Sequence, residues 1–373
     1  MLSRFVLFLA GLVASTAAAA HQSGNSYLMI SDASGSARAL SVQIDLSIKD
    51  LNGILQIPPG QATDFTPDKL AAIEAQLSQT IQQLLIVEAG GQALALSFVS
   101  QSVSLRNDGL YLRQAFAAPA LPEPLRDLVV RYDFFNRGET VARAYAKLDI
   151  RGKQISSVFD ARNSVQRFAL AGDARLHTMT LFVKEGAMHI WSGADHLLFL
   201  LCVLLPGLSL VAPVAPSGSS RFRAAGWFAL QVVTAFTVAH SITLAASATD
   251  WITLPDKWVE AAIALSIMAS AALNLMFTGH AGRWQLAFAF GLIHGLGFAS
   301  GLRELGLMQQ RFLESLLAFN LGVELGQLVV LAAVATLLRP WLQRDWVRKR
   351  LPIWGSLLVL PLSGAWLTQR LLA

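Results

Sequence analysis

The residues best suited to chemistry are ionisable side chains within apolar stretches of the second half of the chain. The stretch HIWSGADHLLFLL places His189 ahead of the adjacent pair Asp195 and His196. A carboxylate beside an imidazole is a credible ligand pair for a divalent transition metal. His189 and His196 share a helical face, but a straight helix would separate them by about 10 Å along its axis. Either His189 is an outer gateway ligand, or the helix is unwound near residues 192–193, as occurs where backbone lines a cavity.

The other apolar stretches of this half also carry polar groups at helical spacing. One face of the fifth stretch combines Asn320, Glu324 and Gln327, while Gly322 and Gly326 form a small-residue pair for helix packing on the opposite face. Glycines also surround the histidine of the fourth stretch, which favours close approach of a neighbouring helix. The predicted metal ligands are His189, Asp195, His196, His240, Glu260, His294 and Glu324, and the supporting polar groups are Thr237, Ser241, Asn320 and Gln327.

Depth in the membrane connects these predicted ligands. Ionisable groups are costly inside a bilayer, so they usually face the interior of a bundle and mark a functional path. Counted from the span ends at about 1.5 Å per residue, His196, His240, His294 and Glu324 lie in the outer half of the membrane or near its midplane. Glu260 lies close to the interface, where a snorkelling side chain is an alternative interpretation. Structural hydrogen bonding between helices is the competing interpretation for the whole set.

The composition separates the chain into two differently solvated halves. Of its 373 residues, 54% are hydrophobic and 14% are charged, against about 25% charged in soluble domains, which disfavours a single soluble globule. Residues 1–184 hold 32 of the 53 charged side chains, whereas residues 185–373 hold all nine Trp. The net charge of +5 is spread over both halves, which leaves no basic face for nucleic acid. The single Cys202 rules out an intramolecular disulfide framework and a cysteine-rich metal site.

Six apolar segments in the second half are each near the roughly 20 residues that cross a bilayer. With the N-terminal part outside, the predicted inner loops carry eight Lys and Arg residues and the outer loops and tail carry four, in agreement with the positive-inside rule. The sequence therefore predicts an all-α bundle of six transmembrane helices in residues 185–373, within a lipid bilayer. The predicted spans are 190–210, 222–247, 258–277, 284–303, 312–338 and 352–371.

The N-terminus has the order of features that is typical of an export signal. Arg4 precedes a short apolar run over residues 5–14, and small residues follow at Ala18 and Ala20. The sequence predicts a signal peptide over residues 1–20, with an uncleaved anchor as the alternative. Cleavage would leave His21 at the mature N-terminus, where the imidazole and the freed amine form another candidate metal site, and would place the soluble part outside the cytoplasm.

Residues 21–184 are predicted to form a soluble β-rich domain. Residues 39–48 alternate between apolar and polar side chains, and residues 93–105, 126–135, 141–150 and 164–170 also have the pattern of strands. Thr66 and Pro67 begin a helix that runs to about residue 85. About seven short strands suggest a small β-sandwich with one inserted helix. This domain shows no motif for catalysis, so it is interpreted as a binding or docking domain with a protein partner outside the cytoplasm.

The motifs of the second half resemble those of the HupE/UreJ family of hydrogenase and urease accessory membrane proteins. The resemblance rests on HIWSGADHLLFLL, FTVAHSITL, GLIHGLGFASGL and FNLGVELGQL, and it covers about residues 185–373. It implies a bacterial inner-membrane protein linked to nickel or another first-row divalent metal, with the N-terminal domain in the periplasm. His189, Asp195, His196 and His294 match the metal motifs of the family. Phe290 stands where the smaller members have a further histidine.

Two functions of different classes fit these residues. The leading hypothesis is a permease or metal-delivery protein for nickel, with cobalt, zinc or iron as alternatives, in which buried carboxylates offset the charge of the ion or exchange protons for it. The chain has no phosphate-binding loop, so transport would be passive or coupled to another ion. The alternative is an intramembrane hydrolase with a His- and Asp-bound Zn²⁺ that activates water and Glu324 or Glu260 as the base, or with Ser300 paired with His240. A sensor anchored by its spans is a third hypothesis, which the buried charges disfavour.

Overall fold

The structure is a computed structural model, and the chain divides into two compact units, with the described residues up to Thr178 in the first and those from Met179 in the second. A β-rich N-terminal region is followed by a helical C-terminal region. The described residues are 24–33, 39–57, 66–106, 109–119, 121, 127–136, 141–170, 174–207, 218–277, 279, 281–298, 312–338, 340–341 and 344–372.

Two sheets form the described part of the first unit. The larger has six strands in the order β5-β6-β2-β1-β8-β9, and the smaller has four in the order β10-β7-β3-β4. Most neighbours are antiparallel, but β1 and β8 are parallel. The strands are β1 Gly24–Asp32, β2 Leu40–Ser47, β3 Leu85–Ala89, β4 Gln92–Ala93, β5 Ser97–Arg106, β6 Gly109–Ala118, β7 Asp127–Tyr132, β8 Val141–Ile150, β9 Lys153–Phe159 and β10 Val165–Ala169.

The alternating pattern of residues 39–48 is confirmed as a strand over Leu40–Ser47, although the last four residues of that strand are buried on both faces. Leu40, Val42 and Ile44 on β2 are fully buried, because successive side chains of a strand point to opposite faces of the sheet. Side chains from both sheets, such as Ile44 on β2 and Val130 on β7, belong to one hydrophobic core. The predicted strand at residues 93–105 is divided, because β4 ends at Ala93 and β5 begins at Ser97.

The helical insertion of the first unit begins at the predicted position but is not continuous. Pro67 occupies the first turn of α2, which spans Pro67–Ala72 after α1 at Leu51–Ile54, and α3 follows at Glu74–Leu84. The prediction of a single helix to residue 85 is therefore wrong, because the chain breaks at Ile73. The side chain of Thr66 makes no hydrogen bond as a cap.

Seven helices make up the described helical region. The predicted domain boundary at residue 184 lies inside the first of them. Residues 295–298 extend the fifth of them by a short 3-10 turn. The helices are α4 Ala174–Ser192, α5 Ala194–Leu204, α6 Gly218–Ala248, α7 Asp256–Met276, α8 Arg283–His294, α9 Phe312–Leu338 and α10 Asp345–Leu372.

The length and hydropathy of these helices account for four or five spans rather than six. Helices α6, α7, α9 and α10 are each long and apolar enough to cross a membrane, and α4 with α5 is a further candidate, bent by 73°. The predicted first span at 190–210 corresponds to this bent pair, whose helical part starts well before residue 190. The predicted fourth span is too short in the described residues, because α8 has 12 residues and residues 299–311 lie outside them.

Glycines set the closest helix contacts, as the sequence predicted. A Cβ at Gly322 of α9 would collide with the backbone of Val183 in α4, and one at Gly326 would lie 3.1 Å from the Ala187 backbone. A Cβ at Gly291 of α8 would lie 2.6 Å from the Phe236 carbonyl oxygen in α6. The pairs α4–α9 and α6–α8 therefore touch at the level of their backbones.

Candidate metal centre

The two halves of the HIWSGADH motif lie on different helices, because the chain bends between α4 and α5. Gly193 is in an extended conformation, with φ −81° and ψ 95°. A Cβ there would lie 2.9 Å from both the Asp195 carboxylate and the His196 ring, so a larger residue would fill the space these groups occupy. The bend brings the rings of His189 and His196 to 4.5 Å between centroids. Of the two predicted alternatives, the structure has the interrupted helix.

Two further histidines join this pair from separate helices. The His240 ring on α6 lies 6.0 Å from the His189 ring, and the His294 ring on α8 lies 5.0 Å from the His196 ring. Two overlapping groups result, one of His189, His196 and His240 and the other of Asp195, His196 and His294. Within each group one potential ligand atom per residue lies within 4.8 Å of the others.

The hydrogen bonds of His240 define which ring nitrogen carries the proton. Its Nδ1 lies 3.3 Å from the Oδ1 of Asn320 on α9. The amide of Asn320 is oriented, because its Nδ2 donates to the Leu316 carbonyl at 2.9 Å. Oδ1 is therefore the acceptor and His240 Nδ1 the donor. The lone pair of Nε2 is left available for a ligand.

Hydrogen bonds also locate the ring protons of His196 and His294. Nδ1 of His196 lies 3.1 Å from a carboxylate oxygen of Asp195, which can only accept when ionised. Nε2 of His294 lies 3.0 Å from the Ser266 hydroxyl, whose own hydrogen is directed to the Ile263 carbonyl at 2.7 Å. Each ring thus donates through one nitrogen and keeps a lone pair on the other.

The nitrogens that keep a lone pair are buried and have no hydrogen-bond partner among the described residues. They are Nε2 of His196, Nε2 of His240 and Nδ1 of His294. A buried polar atom without a partner is costly, and a bound metal ion is a partner that would satisfy such a nitrogen. Histidines that bind metals generally donate their other ring nitrogen to a carboxylate, carbonyl or similar group, which is the arrangement seen here.

Aromatic side chains enclose this histidine cluster. The Phe199 and Phe236 rings lie 5.0 and 5.4 Å from the His294 ring, and the Phe319 ring lies 5.6 Å from the His189 ring. The sequence predictions missed these residues. The available signal was their spacing, since Phe199 and Phe236 are three and four residues from a cluster histidine on the same helix and so share its face.

The helical region also matches a known family. The sequence profile described as HupE / UreJ protein matches residues 166–370, more than half of the chain. The chain belongs to the HupE / UreJ protein family. No curated protein matches it. Membership in this family suggests an accessory or permease role in handling nickel or another metal.

A polar ladder connects two helices of this HupE / UreJ protein beside the histidine cluster. The hydroxyl of Thr237 on α6 donates to the Gln327 side chain on α9 at 3.1 Å, in a buried setting. Thr234 donates to the Glu324 carboxylate at 2.8 Å, in a more exposed setting. Ser241 donates only along its own helix, to the Thr237 carbonyl. Of the predicted polar groups, Thr237 and Gln327 therefore bridge helices, whereas Ser241 does not.

The carboxylates predicted on α7 and α9 are not members of the two ligand groups found among the described residues. Glu260 pairs instead with Arg370 of α10 at 2.6 Å, with about a third of its side chain exposed. Glu324 accepts the hydrogen bond from Thr234. Two other predicted features of this HupE / UreJ protein, His21 and Ser300, lie outside the described residues.

Proposed function

We propose that the protein carries a divalent transition metal ion across the membrane, or delivers it, through the histidine cluster. The observation that carries this proposal is the set of three buried imidazole nitrogens without partners on His196, His240 and His294. Metal–nitrogen bonds of about 2.0–2.1 Å place two ligands no more than about 4.2 Å apart. Within each of the two ligand groups, one potential ligand atom per residue already lies within 4.8 Å of the others, so only small side-chain movements are needed.

The chemistry of the cluster favours a first-row transition metal as the cargo. Neutral imidazole suits nickel, cobalt, zinc and iron, whereas magnesium and calcium prefer sites built from oxygen alone. The ionised Asp195 next to His196 would offset part of the charge of a dehydrated ion. Family membership supports nickel as the first choice. Asp195 is then either a direct ligand or the group that orients His196.

Carrier function is supported further by polar groups that continue away from the cluster. On α7, Ser266 contacts His294, and Ser270 and Asn274 follow at intervals of four residues, all buried. Asn274 donates to the Cys202 carbonyl at 2.8 Å and has no partner for its Oδ1 among the described residues. A hydrolase needs a metal site with one position open to water, whereas buried polar groups that continue beyond the site suit movement of an ion.

The proposed location follows from the same parts of the chain. The protein would lie in a bacterial inner membrane with six passes, the short α8 contributing to the fourth. Residues 1–20 would act as a signal peptide and residues 21–184 would lie in the periplasm, where the two sheets, packed as a sandwich, would dock a protein partner. The shared core of both sheets supports the sandwich.

The direct test is metal uptake by proteoliposomes that contain the full-length protein. His196→Ala and His240→Ala each remove a central ligand, and loss of even an outer-shell partner of a metal site costs about 10- to 100-fold. We expect Ni²⁺ uptake to fall at least about tenfold in both. Ser363→Ala is the matched control, because the buried Ser363 hydroxyl bonds only within its own helix. Uptake that survives both histidine substitutions would rule out this mechanism.

A further inference from the structure

The strongest feature outside the histidine cluster is a buried arginine at the start of α8. Arg283 is 2% exposed. Its Nε and Nη2 donate to the Gly279 and Phe277 carbonyls at 3.3 and 3.1 Å, and its Nη1 has no partner among the described residues. Both acceptors are neutral, and no described carboxylate forms an ion pair with it. A buried charge without a counter-ion is strongly unfavourable.

Arg283 also lines an open cavity of about 470 Å³ between the end of α7 and the start of α8. The other walls are mainly apolar, formed by Leu273, Met276, Phe277 and Leu286. Met276 is 71% exposed and Phe277 is 59% exposed, so the cavity opens along an apolar surface. A cavity that combines apolar walls with one cationic group fits a ligand that has both an apolar part and an anionic part.

The position of the cavity identifies the class of this ligand. Helix α7 is a candidate membrane span that ends at Met276, so the cavity lies where a span ends. Phospholipid phosphates lie at this depth, and basic pockets between transmembrane helices bind anionic headgroups. The first-turn amide groups of α8 add a second attraction for an anion, because a helix N-terminus carries a partial positive charge.

We propose that this cavity binds a phosphate group, supplied by the headgroup of an anionic phospholipid whose acyl chains lie against the apolar wall. Nη1 of Arg283 donates to the phosphate after a small rotation of the guanidinium group. The acyl chains cover Met276 and Phe277. The same chemistry would recognise a free phosphate ion, which lacks the apolar part. This proposal is independent of metal transport.

The test measures the binding of lipid to the full-length protein in detergent by native mass spectrometry, together with its melting temperature. The probes are phosphatidylglycerol, phosphatidylcholine and inorganic phosphate. In the wild type we expect one retained phosphatidylglycerol per chain and a raised melting temperature, with a smaller effect of phosphatidylcholine. Arg283→Gln should weaken phosphatidylglycerol binding at least about tenfold, the loss expected for one charged hydrogen bond. Arg283→Lys should retain part of the preference, because it retains the charge.

The matched control is Arg348→Gln on α10. Arg348 is also buried, at 6% exposure, but it pairs with Asp345. Its substitution should leave phosphatidylglycerol binding unchanged.

If Arg283→Gln does not fold, Leu273→Trp provides a second variant, because it narrows the cavity and retains the guanidinium group. This variant should also lose the bound lipid. Equal binding of the two lipids, or unchanged binding in both cavity variants, would overturn the proposal. An effect of inorganic phosphate equal to that of phosphatidylglycerol would overturn the lipid source and assign the site to free phosphate.

Discussion

The contact between α6 and α8 allows the geometry of the cluster to be changed without removal of any ligand. In Gly291→Ala, the new Cβ would lie 2.6 Å from the Phe236 carbonyl oxygen and 2.9 Å from the Ala239 Cβ. Ordinary contact begins at 3.4 Å, so the two helices must separate by about 0.8 Å. His294 lies one turn further along α8 and moves with it, away from His240 on α6.

A displacement of this size is large for a metal site. Metal–ligand distances tolerate about 0.2 Å, so a shift of about 0.8 Å in α8 disrupts simultaneous binding by His294 and the other members of its group, Asp195 and His196. We expect the affinity for Ni²⁺ to fall by about 10- to 100-fold, the range seen when an outer-shell partner is lost. Overpacking should also lower the free energy of unfolding by about 1–3 kcal/mol. Equilibrium dialysis of the purified protein with Ni²⁺ measures the first effect, and denaturant unfolding measures the second.

Gly226→Ala is the control for this substitution. Gly226 lies on α6, the other helix of this contact, but nothing approaches within 4 Å of the position of its Cβ. It should leave Ni²⁺ affinity unchanged and stabilise the helix slightly, since Ala is favoured over Gly in helices. A folded Gly291→Ala protein that binds Ni²⁺ as tightly as the wild type would show that α8 does not supply a ligand, and the assignment of His294 would fail.

Three further predictions concern other described contacts. Asn320→Leu removes the acceptor that orients His240 and should weaken Ni²⁺ binding by about tenfold in the same dialysis assay. Glu260→Gln breaks a partly exposed ion pair with Arg370 and should leave Ni²⁺ affinity unchanged; a tenfold loss would show that Glu260 is a ligand. Burial raises the pKa of Tyr132 above its usual range, so its contribution to stability should be lost as pH rises above about 10, and Tyr132→Phe should remove this loss in pH-dependent unfolding.

The sequence was sufficient to identify the histidines that cluster, because the cost of burying ionisable groups singles them out. His189, Asp195, His196, His240 and His294 were all predicted, and the structure brings them together. The same cost also singles out Glu260 and Glu324, but it does not show which neighbouring side chains they contact. An ion pair such as Glu260 with Arg370 joins residues 110 positions apart in sequence, and depth alone does not reveal which face of a helix meets which neighbour.

The strands of the first unit were predicted only in part, because alternation is visible within one segment whereas strand pairing joins segments that are distant in the sequence. Residues 39–48 alternate clearly, so β2 is evident in the sequence, whereas the pairing of β1 with β8 is parallel and joins distant segments. In the helical region, apolar composition shows where an apolar segment lies but not whether one continuous helix spans it. The bend at Gly193 and the shortness of α8 depend on tertiary packing, although the small residue at 193 indicated one permitted position for the break.

The bend at Gly193 also determines where the bundle can rearrange at the lowest cost. Helix α4 touches α9 at the backbone level, and α6 touches α8 in the same way, so neither pair can separate without loss of tight packing. Helix α5 contains no glycine, and the Asn274 side chain of α7 bonds to its Cys202 carbonyl. A hinge at Gly193 would therefore carry His196 away from His189 and His240 while those two remain in place. His196, which belongs to both ligand groups, would then be the ligand whose movement opens the site and releases the ion.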